Sequence, residues 1–480
     1  VFGRPATLLL VLVLVMIFAA NCGQDMALPP PADYRAIIDA FQLTPFPNIP
    51  YPPYNSYQAE RVELGRLLFF DPILGGESAP WVKSARGLDP YRYRANDVAC
   101  GTCHVPRFGF ADGRRAGAGV GGGHMDDTAL GPDRNVPGSS LVSGRDVGLE
   151  PRNTPTVLNT GMNGRNSVDP VTESFQFLDG RVTLGLEVQA LEPITDREEM
   201  AGDAFRDSLG ALLPPEAIRD SLTLRIRSIP EYVDRFERAF PGLIDKPSDI
   251  TMDHISKALA SFERQLVTPG SRYDRFVAGE TDAFTPLERQ GFELFFGKAL
   301  CGSCHAGPML SDYSFHVQGA ADDYAAIAPN FPGKDGAGHD YGRFHANPVE
   351  FTDQKYAFRT LTIRNIELTA PYFHSGSAQT LAEVVAFYNR GGRGPEDISD
   401  ANLAAQGAVR DTLVRPLGLT TEEMAALVAF MKTTSAPIAP GPGGLDLMTV
   451  PERVPSGLVP PGIATPDGPG PFTPTTKRGP

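Results

Sequence analysis

The sequence predicts a mainly α protein with long loops. Two observations carry that reading: apolar residues recur at helical spacing in several segments while strand signals are few, and Gly 50 plus Pro 45 among 480 residues is far more loop-forming material than close-packed helices need. Ile255, Leu259, Phe262 and Leu266 fall on one helical face, with Thr251 in the N-cap position. His254 lies beside that face and reads as a helix-surface histidine. Thr285-Pro286-Leu287-Glu288 opens another helix, with Pro in the first turn and Leu287, Leu294 and Phe295 as its apolar residues. Thr420 or Thr421, followed by Glu422 and Glu423, opens a third that runs from Met424 to Met431.

Length suggests two or three domains, and 41% hydrophobic residues suffice for sizeable cores. The net charge of −14 argues against nucleic acid or anionic lipid as the main partner. Arg4 precedes an unbroken apolar run from Leu8 to Ala20, the pattern of a secretory signal, so residues 1–22 are expected to direct export. Cys22, in Ala19-Ala20-Asn21-Cys22, sits where a bacterial lipoprotein would be cleaved and acylated, although Asn21 fits that position poorly. A lipid tether, an uncleaved anchor and a cleaved-off Cys22 all stay open. Residues 23–56, rich in Pro and Tyr, read as a surface linker, and residues 437–480, with 12 Pro and 8 Gly, as a disordered tail. Arg114 to Arg152 reads as a long Gly-rich loop inside a domain.

Four of the five cysteines form two copies of one pattern, Cys100-Gly101-Thr102-Cys103-His104 and Cys301-Gly302-Ser303-Cys304-His305. Cys-x-x-Cys-His is the c-type haem attachment signature: two thiols add to the vinyl groups on one porphyrin edge and the adjacent His reaches the iron. A redox dithiol or half of a zinc site is the alternative for a single copy; two copies, each ending in His, speak for haem. Each motif follows a helix with a Gly and then Leu-Phe-Phe, at Gly65 with Leu68-Phe69-Phe70 and at Gly291 with Leu294-Phe295-Phe296, which suggests a duplicated haem-binding unit. The cysteines alone leave electron transfer and peroxide chemistry both open.

Over most of residues 60–435 the sequence resembles the bacterial di-haem cytochrome c peroxidase and MauG family. The matching stretches are Leu64–Asp71, Arg152–Asn159, Phe177–Arg181, Gln189–Ile194 with Glu199-Met200, Leu361–Asn365, Thr369–Gly376 with Thr380-Leu381, and Phe387–Gly392. The resemblance implies two cytochrome c-like haem domains, a peroxidatic one over 57–270 and an electron-transfer one over 271–436. It implies two covalent c-type haems, with His104 and His305 as proximal iron ligands.

By the same resemblance, Glu199 is the carboxylate that moves a proton between the oxygens of peroxide, and Gln189 lines its pocket. Without it, Glu199 would read as one of the solvated carboxylates of Asp196–Glu199. His124 is the histidine in the loop from which some family members supply a distal ligand to the first haem; a simple loop histidine is the alternative. Tyr388 aligns with the distal ligand of the second haem, where MauG-type enzymes carry Tyr and many peroxidases Met. A packed helix residue is the other reading of Tyr388. His374 resembles a histidine near the haem edge. Asn153, Thr369 and Pro371 match positions that hold calcium between the domains, where an oxygen ligand set suits that cation; Asn153 could equally cap a turn. One departure stands out: Leu178 occupies the place of an inter-haem Trp, and Trp81, the sole tryptophan, lies in an apparent insertion over Gly75–Ala95.

The expected function is therefore reduction of hydrogen peroxide to water at the first haem, with electrons relayed through the second from a small cytochrome or cupredoxin. The alternatives are MauG-like oxidation of a partner protein's aromatic residues and a non-catalytic di-haem electron carrier. The expected setting is the periplasm, and family members are often homodimers.

Overall fold

The computed structural model describes residues 32–76, 83–84, 87–88, 98–113, 152–164, 174–202, 204–207, 210–322, 339–458 and 460–461. The signal segment with Cys22, Trp81, and His124 with most of its loop lie outside the described residues. The helices are α1 Ala32–Ala40, α2 Ala59–Phe70, α3 Cys100–Cys103, α4 Leu186–Gln189, α5 Glu192–Thr195, α6 Pro215–Arg227, α7 Pro230–Ala239, α8 Met252–Gln265, α9 Arg272–Val277, α10 Pro286–Phe296, α11 Arg343–Ala346, α12 Leu381–Asn389, α13 Asp400–Ala405 and α14 Thr421–Lys432. Among the described residues sheet is confined to two short antiparallel pairs: β1 Lys83–Ser84 with β2 Gly87–Leu88, and β3 Phe315–Val317 with β4 Ala357–Arg359, in which Phe315 faces Arg359. Among the described residues no helix is long and apolar enough to cross a membrane.

Two hydrophobic cores organise these elements. The first gathers α2, α6, α7 and α8 around Leu68, Phe69, Phe70, Phe236, Leu259 and Phe262. The second gathers α9, α10, α12 and α14 around Tyr273, Phe292, Phe295, Phe296, Leu427 and Phe430. Each core is built on one helix crossing made possible by a glycine. A Cβ on Gly65 would lie 1.9 Å from the Ala258 carbonyl oxygen and 2.9 Å from the Phe262 Cβ; one on Gly291 would lie 2.0 Å from the Ala426 oxygen and 2.7 Å from the Phe430 Cβ. All four distances are inside van der Waals contact, so only Gly lets α2 meet α8, and α10 meet α14, at this separation.

The expected helix starts are present, with their caps. Thr285 accepts the Glu288 N–H while the Glu288 carboxylate accepts the Thr285 N–H, and Thr420 and Glu423 repeat the arrangement, which places the third start at Thr420. His254 joins the cap of α8: its Nδ1 lies 2.9 Å from the Thr251 hydroxyl, and its ring packs on Phe240. Leu287 is exposed rather than in the apolar face of α10.

Two expectations for the chain ends are corrected. Residues 32–43, placed in a surface linker, form α1 and pack into the second core, where Tyr34, Ile38 and Leu43 are buried and Tyr34 meets Phe276 and Phe292 edge-on. Tyr34, Ile37, Ile38 and Phe41 recur at i, i+3, i+4 and i+7, an amphipathic stripe set among prolines. Residues 437–458, placed in a disordered tail, instead run back across the first core. Leu447 and Val454 are buried there, Arg66 Nη1 donates to the Thr449 carbonyl at 3.0 Å, and the Ser456 hydroxyl donates to Asp71 at 2.6 Å. Spaced apolar residues in an extended strap fill slots one at a time, which bulk composition does not register. The N-terminal segment thus closes the second core and the C-terminal segment the first.

Candidate functional site

One continuous cavity runs between the two cores, and both Cys-x-x-Cys-His motifs line it. Cys100–Cys103 form the single turn α3, and Cys301–Ser303 a 3₁₀ turn. Burial pushes the Cys301 thiol up to about 12 and that of Cys100 higher still.

The two histidines are held alike. His104 Nδ1 lies 3.0 Å from the Phe110 carbonyl, and His305 Nδ1 lies 2.9 Å from the Leu310 carbonyl. Phe69 and Phe295 stand behind them, each with its ring centroid 6.2 Å from the imidazole. A carbonyl on Nδ1 fixes the tautomer that carries its proton there and leaves the Nε2 lone pair for a metal. Burial lowers both, His104 to about 4, so each imidazole is neutral, as ligation requires.

The likeness extends further than the motifs. Thr156 Oγ1 donates to the Gly109 carbonyl and accepts the Leu158 N–H; Thr362 Oγ1 donates to the Met309 carbonyl at 2.6 Å and accepts the Arg364 N–H. Each threonine thereby clamps the turn whose next carbonyl, from Phe110 or Leu310, orients the histidine. Three residues on, Asn159 and Asn365 both adopt left-handed backbone, with φ of 62° and 60°. The signal lay in the sequence as Thr-x-x-Asn at 156–159 and again at 362–365.

On the first side of the cavity, Glu199 sits in a π-helical turn, Arg197–Ala201, whose N–H groups at Glu198 and Glu199 are capped by Asp196. Its Oε1 lies 3.3 Å from Arg181 Nη2, and Arg181 stacks over Phe177. Gln189, at the end of α4, presents a buried Oε1 with no hydrogen-bond partner among the described residues. Glu199, Gln189, Arg181 and His104 line the same cavity.

On the second side, α12 directs Tyr388 into the cavity beside Cys301 and Cys304, and burial, reinforced by those thiols, raises its phenol well above the ordinary range. Sequence reasoning missed His316, which lines the cavity between two carboxylates, Nδ1 at 2.6 Å from Asp411 and Nε2 at 3.1 Å from Asp312. Hydrogen bonds to Asp312 and Cys304, against burial, push it up to about 11. The Asp312 to His316 spacing was visible; Asp411, from a distant loop, was not.

Between the two sides lie Leu178 and a buried ionic network. Arg152 binds Asp340 through Nε and Asp179 through Nη1, each at 2.6 Å. Although burial opposes it, Arg152 and Arg181 hold the Asp179 carboxyl down to about 2. Arg359 is buried along the cavity, its pKa pulled down to about 10 by burial, and its Nη1 has no hydrogen-bond partner among the described residues. His374 stacks on Phe358 at 4.0 Å with its buried Nε2 likewise unpartnered. Asn153 donates from its N–H to the His374 carbonyl at 2.7 Å and from Nδ2 to the Pro371 carbonyl at 2.6 Å, leaving Oδ1 buried and unpartnered among the described residues. Two thiol pairs, two neutral histidines oriented through Nδ1, and donors and acceptors without partners among the described residues around an apolar hollow fit two haems, whose propionates would meet Arg359.

Residues 59–282 match the model of the di-haem cytochrome c peroxidase family, CCP_MauG. The chain is 30% identical over 343 residues to the cytochrome c551 peroxidase of Pseudomonas aeruginosa, covering 70% of this chain and 75% of that one. It is 29% identical over 389 residues to the methylamine utilization protein MauG of Methylorubrum extorquens, covering 81% and 82%. Among solved structures, a MauG-like protein associated with microbial copper homeostasis superposes with a TM-score of 0.59 at 25% identity, over 90% of this chain and 100% of that one.

A mainly helical chain with two Cys-x-x-Cys-His sites facing one cavity has the build of a c-type cytochrome. It belongs to the di-haem cytochrome c peroxidase and MauG family and is an oxidoreductase of the peroxidase type.

Proposed function

We propose that the protein reduces hydrogen peroxide to water at a haem held by Cys100, Cys103 and His104, with electrons entering through a haem held by Cys301, Cys304 and His305. The observation that carries this reading is the placement of Glu199, Gln189 and Arg181 on the wall of the cavity that His104 lines. Bound haem supplies the electrons that peroxide accepts. The chain supplies the proton handling: Glu199 takes the proton from one peroxide oxygen and returns it to the other, so that the O–O bond breaks with water as the leaving group. Arg181 holds the Glu199 carboxylate in place, and Gln189 Oε1 accepts a hydrogen bond from the bound peroxide. Overall, one peroxide, two electrons and two protons give two waters.

Tyr388 beside Cys301 and Cys304 favours a second reading, in which the phenolate oxygen ligates the second iron and the oxidising equivalents act on aromatic residues of a partner protein, as the resemblance to MauG suggests. Leu178, which cannot be oxidised, leaves electron transfer between the two sites to tunnelling or to another aromatic. The Asn153 Oδ1, unpartnered among the described residues and on the amide that meets the Pro371 carbonyl, supports calcium there, with Thr369 as the remaining ligand. Export to the periplasm, a tether at Cys22, a small cytochrome or cupredoxin donor and a homodimer complete the proposal. Peroxide turnover by the haem-loaded protein tests it: activity that Glu199→Gln abolishes supports the peroxidase, and inactivity in every redox state, with Glu199→Gln indistinguishable from wild type, rejects it.

A further inference from the structure

Where the packing of the two halves matches, each half is a control for the other, and one such matched position differs in kind. Phe262 of α8 packs on Phe69 and Phe70 with centroids 5.1 and 6.2 Å away, and Phe430 of α14 packs on Phe295 and Phe296 at 5.0 and 6.1 Å. These phenylalanines occupy equivalent places, so the next residues, Glu263 and Met431, do too. Both line the cavity and both are buried, 4% and 6% exposed. Where the second half has an apolar thioether, the first has a carboxyl group.

Among the described residues that carboxyl makes no ion pair. Its neighbour Arg264 is engaged by Glu187 of α4, with Nη1 at 3.0 Å from Oε1 and Nη2 at 3.1 Å from Oε2. Glu263 Oε2 is left with no hydrogen-bond partner among the described residues. Burial pushes the group up to about 8, Arg264 opposing and Glu187 adding to the rise. From α3, Cys100 feels its charge directly, and Glu199 more weakly acts on the same thiol. A buried acid that titrates near neutrality, beside the attachment point of a redox group, is set to respond to that group's charge.

We propose that Glu263 is the proton-coupled group of the first haem site, its carboxylate binding a proton when the haem there gains an electron and releasing it when the electron leaves. This rests on the reading that Cys100, Cys103 and His104 hold a haem. The electron comes from a one-electron donor and the proton from solvent; one O–H bond forms on Glu263, and net charge at the site is unchanged. Such a group loads protons in step with the electrons that peroxide reduction consumes. As a positioning residue it acts through the haem's potential and does not touch peroxide.

The test is a spectroelectrochemical titration of both haems in the holoprotein from pH 5 to 9, for wild type, Glu263→Gln and Glu263→Met, the last copying the second half. In wild type the potential of the first haem should fall with rising pH by up to about 59 mV for each tenfold drop in proton activity, between the pKa of Glu263 in the oxidised and reduced states. Both variants should flatten that slope and leave the second haem's pH dependence unchanged. A wild-type potential independent of pH, or the same slope in either variant, overturns the proposal. Mass spectrometry of the peptide carrying Cys100 and Cys103 separates the two levels: a haem-free peptide overturns the site reading together with the proposal, whereas a haem-bearing peptide with an unaltered slope overturns the proposal alone.

Discussion

Arg181 Nη2 lies 3.3 Å from Glu199 Oε1, and the same guanidinium stacks over Phe177 and reaches Asp179. A residue held this way sets where the Glu199 carboxylate points. Arg181→Ala should lower kcat/KM for peroxide about 10–100-fold, the equivalent of one lost charge-assisted hydrogen bond. Arg181→Lys should recover part of it, with haem spectra unchanged in both; steady-state kinetics beside absorption spectra check this.

Tyr388 projects from α12 into the cavity next to Cys301 and Cys304. Tyr388→Phe should abolish the tyrosinate-type signal of the second haem while leaving haem content and the first haem's spectrum intact. An unaltered spectrum would reject Tyr388 as a ligand and return it to a packing role.

The buried Arg152, with Asp179 and Asp340 at 2.6 Å, ties the segment before the first Thr-x-x-Asn turn to the loop carrying Leu178. Because the folded pKa of Asp179 is depressed to about 2, its contribution is fully present above the unfolded value near 3.9 and is lost as pH falls through 2. Asp179→Asn should therefore destabilise the protein by about 3–5 kcal/mol at pH 7. The difference from wild type should shrink as pH falls from about 4 toward 2, which denaturant melts at a series of pH values would show.

The strap over 437–458 gives a prediction that composition would not. Leu447→Ala should cost about 2–5 kcal/mol, lower the melting temperature, and leave the second core's unfolding unaffected. Differential scanning calorimetry resolves this if the two cores melt separately.

What the sequence disclosed followed the range over which each signal acts. The haem motifs are contiguous, and Gly65 and Gly291 with their Leu-Phe-Phe runs sit on single helices, so the duplicated unit was readable in one dimension. The Thr-x-x-Asn copies were equally local but diluted by unlike neighbours. His316 with Asp411, and Arg152 with Asp340, are pairs that only folding brings together. The chain ends misled for a third reason: Pro and Gly set the average composition, while a few apolar residues such as Tyr34, Ile38, Leu447 and Val454 decide whether the segment docks.

The most direct test of peroxide reduction at the first site is turnover by the haem-loaded Glu199→Gln variant under conditions where wild type is active. A fall in kcat of about 10²–10⁴-fold, with both haems attached and their spectra unchanged, is the predicted result. Wild-type turnover in Glu199→Gln would contradict it.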